Sequence, residues 1–147
     1  MPLTIRPVTP QDHAAWDQLY QGYAAFYGVD QTAEMRARVW RWLNDPSIEV
    51  NGFVAEQDGA LIGLTHYRPF YSPLSANVKG FLDDLFVDPA ARGSGAAHGL
   101  IEAVSDHGRA NGWGVIRWIT ADDNYRARNL YDRVATRTQW VTYDIAL

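Results

Sequence analysis
Phe81 to Ala97 reads FLDDLFVDPAARGSGAA, and the way this stretch changes character decides the fold. Phe81 to Val87 is an apolar run, interrupted by Asp83 and Asp84, with the length and composition of a strand, and Pro89 ends it. Arg92-Gly93-Ser94-Gly95 then makes a glycine-bearing turn, and Ala96 and Ala97 open a helix. Strand, turn and helix start together form an anion site, because unpaired backbone N–H groups and the positive end of the helix converge there. Two glycines let the backbone come close to a phosphate, and Arg92 adds charge-assisted bonds to its oxygens. Taken alone, the same residues also serve as a plain connection between strand and helix. Two common phosphate motifs are excluded. The Gly-Lys-Ser/Thr ending of a P-loop is missing, and Gly93-Ser94-Gly95 runs into Ala96-Ala97-His98 without completing GxGxxG.

Downstream, Leu100, Ile101 and Val104 share the buried side of a helix expected over 95–110, and GVIRWIT at 114–120 suits an interior strand beside 81–87. A helix over 124–134 and a last strand over 140–145 follow. Upstream, 3–6 is a short strand ended by Pro7, and Thr9-Pro10 starts a helix that runs to about Tyr27. A second helix fits 32–43, with Glu34 in its first turn and Asn44-Asp45-Pro46 beyond its end. Asp58-Gly59, between the extended runs 50–56 and 61–71, marks a hairpin. The order β-α-α-β-β-β-α-β-α-β describes a mixed α/β fold, with a parallel crossover at the glycine turn and antiparallel hairpins before it.

With 147 residues, 47% apolar and 20% charged, the chain has the size and composition of one globular domain over 1–147. It contains no cysteine, which removes disulfides, thiolate metal sites and a cysteine nucleophile. His13, His66, His98 and His107 show no metal-ligand spacing, so no metal is expected. Ser94 and Ser105 lack histidine and acid partners at any spacing that supports serine catalysis. No stretch approaches the roughly 20 apolar residues of a membrane span, and a secretory leader pattern is missing, so the expectation is a cytoplasmic protein without membrane partners. A formal net charge of −4 disfavours nucleic acid and suits a cationic substrate.

Arg92, Gly95 and Ala97 meet Arg/Gln-x-x-Gly-x-Gly/Ala, the acyl-coenzyme A signature of the GCN5-related N-acetyltransferases, or GNAT superfamily, which this chain resembles. Leu82-Asp83-Asp84-Leu85-Phe86-Val87 resembles that family's L-[ED]-D-[LF]-[FY]-V strand, and Asn124-x-x-Ala127-x-x-Leu130-Tyr131 its N-x-x-[AS]-x-x-[LF]-Y helix. The three motifs stand in the family's order and cover roughly 61–134, while the N-terminal part matches only in element order. The family's Gly-Phe after the tyrosine helix is absent. The tail from Thr136 to Tyr143 is more similar to the branch acting on histones, polyamines and other small amines.

The resemblance implies a central mixed sheet of about six to seven strands with about four helices, and acetyl transfer from acetyl-coenzyme A to a primary amine, in a small molecule or a protein, by direct attack. It implies that the backbone of Leu85, Phe86 and Val87 pairs with the pantetheine arm on strands that splay apart. The pyrophosphate would rest on Arg92, Gly93, Ser94, Gly95, Ala96 and Ala97, with Asn124 steadying the arm. Tyr131 becomes the candidate acid for the departing thiolate, although a tyrosine packed beside Leu130 is the plainer alternative. Asn124 and Tyr131 share a helix face and can view the same ligand. Asp83 is the candidate base or electrostatic anchor for the amine. Adjacent strand residues point to opposite faces, so Asp83 and Asp84 are expected to divide between the acceptor pocket and the other side. Asp84, Tyr27 and Glu49 are further acceptor-side candidates. A homodimer through the C-terminal strand belongs to the same expectation. The competing class is a non-catalytic acyl-coenzyme A sensor or interaction module on the same fold.

Overall fold
The computed structural model describes residues 2–147 and builds one five-stranded sheet whose strands lie side by side in chain order. These are β1 (Leu3–Pro7), β2 (Asn51–Gln57), β3 (Ala60–Ser72), β4 (Asn77–Val87) and β5 (Ile116–Arg117). β1 to β4 pair antiparallel, and β4 pairs β5 in parallel through the crossover helix. The helices are α1 (His13–Phe26), α2 (Ala33–Leu43), α3 (Ala96–Ala110) and α4 (Tyr125–Val134).

Local chemistry places each element. Asp58 and Gly59 take positive φ, 55° and 77°, and turn β2 into β3. Thr9 precedes a short 3-10 turn at Pro10–Asp12, where the Asp12 carboxylate accepts from the Thr9 backbone N–H at 2.8 Å. That carboxylate also takes both Nη groups of Arg6, at 2.8 and 2.9 Å, which ties the entry of α1 to β1. Thr32 caps α2 by accepting from Met35 N–H at 3.1 Å. α3 buries Ala96, Leu100, Ile101 and Val104 on one sheet face, against Ala55, Tyr67 and Leu82. α1 covers the other face with Trp16, Leu19 and Tyr20, packed on Val54, Leu64 and Phe86. α4 adds Leu130, Tyr131 and Val134 to the edge of the α3 core.

Three expectations change. The sheet has five strands, fewer than the six or seven expected, because 140–145 forms no strand and 114–120 contributes only Ile116–Arg117. A strand needs a neighbour to satisfy its backbone, and among the described residues the tail pairs with no strand of the sheet. The tail therefore runs without secondary structure, with Trp140, Val141, Tyr143, Ile145 and Leu147 between 72% and 118% exposed. In the opposite direction, Ser72 and 77–80, which lie between the extended runs 61–71 and 81–87, lengthen β3 and β4. β3 and β4 continue to a tight turn closed by Ala76 N–H donating to the Pro73 carbonyl at 3.1 Å. Among the described residues no helix is long and apolar enough to cross a membrane.

Candidate active site
The site starts from a slip in register. His66 faces Asp84 across β3 and β4, but the next residue, Tyr67, faces Leu82, so Asp83 is an extra residue bulged out of the ladder. This overturns the expectation that the two aspartates point to opposite faces. Asp84 meets His66 and Asp83 meets Arg68, and His66 and Arg68, two apart on β3, share one face. The bulge thus turns both carboxylates to the side opposite α3.

Asp84 sits in a buried network. Its Oδ2 lies 2.8 Å from His66 Nδ1 and accepts from the Tyr20 hydroxyl at 2.9 Å. Trp16 Nε1 donates to His66 Nε2 at 3.0 Å. An indole N–H can only donate, so Nε2 accepts and the hydrogen resides on Nδ1, aimed at Asp84. Burial alone would raise the Asp84 carboxyl, but hydrogen bonds from His66, Tyr20 and Tyr23 outweigh it and hold the group below the usual carboxylate range. Asp83 behaves in the opposite way. Burial pushes it upward, and the Arg68 guanidinium, with Nε at 3.0 Å, offsets only part of the rise.

Beside the bulge the sheet opens. β4 pairs β5 only at Gly80 and Phe81, which leaves the β5-side edge of Leu85 to Val87 without a strand partner. A cavity of about 1170 Å³ follows that edge and is lined by Leu85, Phe86, Val87, Arg92 to Ala97, Asn124 and Tyr131. The residues read as cofactor-binding therefore line one cavity. Gly93 and Gly95 hold φ of 84° and 86°, and a Cβ added at either would meet no atom within 4 Å. Their backbone faces open space in a conformation that other residues rarely adopt. The N–H groups of Gly93, Gly95, Ala97 and His98 are unpaired among the described residues, while Ala96 N–H donates to Ser94 Oγ at 3.3 Å. This cradle suits a pyrophosphate. Arg92 is steered toward it by the Phe26 ring, 5.4 Å from the guanidinium carbon.

Asn124 caps α4 through Oδ1 and donates from Nδ2 to the Tyr27 hydroxyl at 3.4 Å, so Tyr27 joins the wall of this cavity. Tyr131 packs edge-on to Trp118, with ring centroids 5.4 Å apart, and its hydroxyl is unpaired among the described residues. Burial, assisted by Tyr27, pushes its phenol up to about 12. Glu49 lies elsewhere, in a second cavity of about 520 Å³ that it shares with Leu43, Tyr71 and Trp113. His66 and Tyr20 are buried and hydrogen-bonded, and Arg68 joins the site through Asp83. No local pattern signals their network, since Asp84 lies 18 residues from His66 and 64 from Tyr20. Among the described residues no group of three or more His, Asp or Glu side chains gathers as a metal site.

Residues 16–135 match the Acetyltransferase (GNAT) family, and the chain belongs to that family of acetyltransferase enzymes. It is 28% identical over 143 residues to the D-amino-acid N-acetyltransferase HPA3 of Saccharomyces cerevisiae, covering 96% of this chain and 89% of the relative. It is 34% identical over 134 residues to the uncharacterized N-acetyltransferase YhfO of Bacillus subtilis, covering 89% and 87%. Among solved structures, the aminoglycoside acetyltransferase AAC(6')-Iy bound to a coenzyme A bisubstrate analogue superposes with a TM-score of 0.84 at 20% identity, over 100% of this chain and 99% of that one.

Proposed function
We propose that the protein transfers the acetyl group of acetyl-coenzyme A to the primary amine of a small molecule by direct attack within a ternary complex. The observation that carries this reading is the open edge of β4, whose Leu85 to Val87 line one cavity with the glycine cradle and follow directly on the Asp83 bulge in the strand. Relatives named for acetylation of D-amino acids and aminoglycosides point to the same acceptor class.

Acetyl-coenzyme A supplies an activated acetyl thioester. Gly93, Gly95, Ala97 and His98 offer N–H groups, and Arg92 its guanidinium, to the pyrophosphate, while Leu85 to Val87 offer an unpaired strand edge to the pantetheine amides. Asp83, whose basicity is raised by burial, holds the acceptor ammonium and takes its proton directly or through water. A C–N bond then forms as the C–S bond breaks. The Tyr131 hydroxyl donates to the departing sulfur. With its phenol at about 12 and a thiol near 8.5, full transfer is uphill by roughly 4 to 5 kcal/mol, so its contribution is a hydrogen bond that strengthens as charge develops. Asp84, held by His66 and Tyr20, is a fixed negative charge behind Asp83.

Coenzyme A thiol release from acetyl-coenzyme A over a panel of amino acids, polyamines, aminoglycosides and basic peptides tests the reading. Release with small amines supports it, and release with peptides alone would move the acceptor to a protein. The same reading assigns the exposed tail a partner: in a homodimer, 140–145 of one copy would pair with the open β5 edge of the other.

A further inference from the structure
We propose that the acceptor carries a carboxylate beside its reacting amine, which makes amino acids the substrate class; this rests on the amine-acetylating reading above. Arg68 on β3 pairs with Phe81 on β4, and Phe81 pairs with Arg117 on β5. Directly paired residues share a face, so the three stand in one row across the sheet, on the side that carries His66, Asp83 and Asp84. The Arg68 guanidinium lies 4.9 Å from the Phe81 ring centre and that of Arg117 lies 5.8 Å from the Phe70 ring, with the two rings 6.4 Å apart. Lys79, paired with Phe70, adds a third cation to this face.

These cations are only partly neutralised. Arg68 engages Asp83 through Nε alone, and Arg117 and Lys79 have no carboxylate partner among the described residues. All three are half-buried, so their charge is screened less than that of freely solvated side chains. In a chain of net charge −4, this face is negative at the bulge and keeps an excess of positive charge at Arg117 and Lys79 beyond the Arg68–Asp83 pair. Asp83 lies two residue steps along β4 from Phe81, a span of about 7 Å. Arg68 Nε and Asp83 Oδ2 meet at 3.0 Å, and an amino acid entering at that pair would set its ammonium at Asp83 and its carboxylate between Arg68 and Arg117. A polyamine or aminoglycoside would bring further positive charge against Arg117 and Lys79 and be repelled.

The test is thiol release with the common amino acids of both hands, each beside its carboxamide and the amine lacking the carboxylate, with kanamycin as a polycation. The expected result is kcat/KM for the best amino acid at least about tenfold above its amide, since a charge-assisted hydrogen bond is lost in the amide. Arg117→Gln should cut that acid-over-amide preference by about tenfold, and Arg117→Lys should retain most of it. Amides, plain amines or kanamycin turned over as well as the acids would overturn the inference while leaving the acetyltransferase reading intact. So would an Arg117→Gln protein that melts lower but keeps its preference, because Arg117 would then only brace the Phe70 ring. No release with any amine would overturn the small-amine reading and this inference with it.

Discussion

His66 Nδ1 stands 2.8 Å from Asp84 Oδ2, with Trp16 Nε1 closing the far side of the imidazole at 3.0 Å. The ring is locked in one tautomer and one orientation, so Asp84 is an immobile charge directly behind the bulge that presents Asp83. Replacing Asp84 by Asn keeps the shape but removes the charge and mismatches a donor. The expected cost is about 1 to 3 kcal/mol in urea unfolding, together with a fall in kcat/KM. Because the native carboxyl is held below its usual range, its share of stability is present above the ordinary carboxylate pKa. That share drains away as pH falls below it.

Tyr131→Phe should lower kcat by about tenfold or more while coenzyme A affinity stays near that of the parent. The phenol must keep its proton to act, and burial pushes it up to about 12. The alkaline limb of the kcat profile due to this group is therefore expected only near pH 12, well beyond the pH 10 of a free tyrosine. An unchanged kcat in Tyr131→Phe would remove the residue from the chemistry.

Gly95→Ala places a side chain at φ of 86°. No atom lies near the new Cβ, so the cost is conformational, about 1 to 2 kcal/mol, or else the turn relaxes and its N–H groups lose their aim. Calorimetry should show weaker coenzyme A binding, and unchanged binding would argue that the turn is merely a connection.

Arg6 hydrogen bonds hold the Asp12 carboxyl down at about 2, against the usual 3.8. The sign follows directly. The stabilisation is complete above about pH 4 and is lost as pH falls from there through 2. Its size is on the order of 2 kcal/mol, since Asp12 is buried. Asp12→Asn should lower the melting temperature at pH 7 and flatten the acid side of the stability curve.

Removing 137–147 should leave the sheet and the cofactor cavity in place, because the tail contributes to neither. If the tail pairs with the β5 edge of a second copy, sedimentation will show the full chain as a dimer and the shortened chain as a monomer. A full chain that sediments as a monomer would leave that edge to some other partner.

The residues from Phe81 to Ala97 determined a great deal by themselves. A strand that breaks at a proline into paired glycines and a helix start is contiguous chemistry, so its turn, its crossover and its family likeness were all legible before folding. The Asp58-Gly59 hairpin and the buried side of α3 were legible for the same reason: turn propensity and helical period act over a few residues. Tertiary structure alone decided what depends on register between distant strands. The bulge that turns Asp83 and Asp84 to one face arises from how β4 lies on β3, where strict alternation had put them apart. The closure of His66 and Tyr20 on Asp84, and the row of Arg68, Phe81 and Arg117, join segments with no local signal of contact. The tail from Trp140 to Ile145 has a strand's composition but no strand's partner, and backbone pairing, which sequence pattern cannot supply, is what makes a strand.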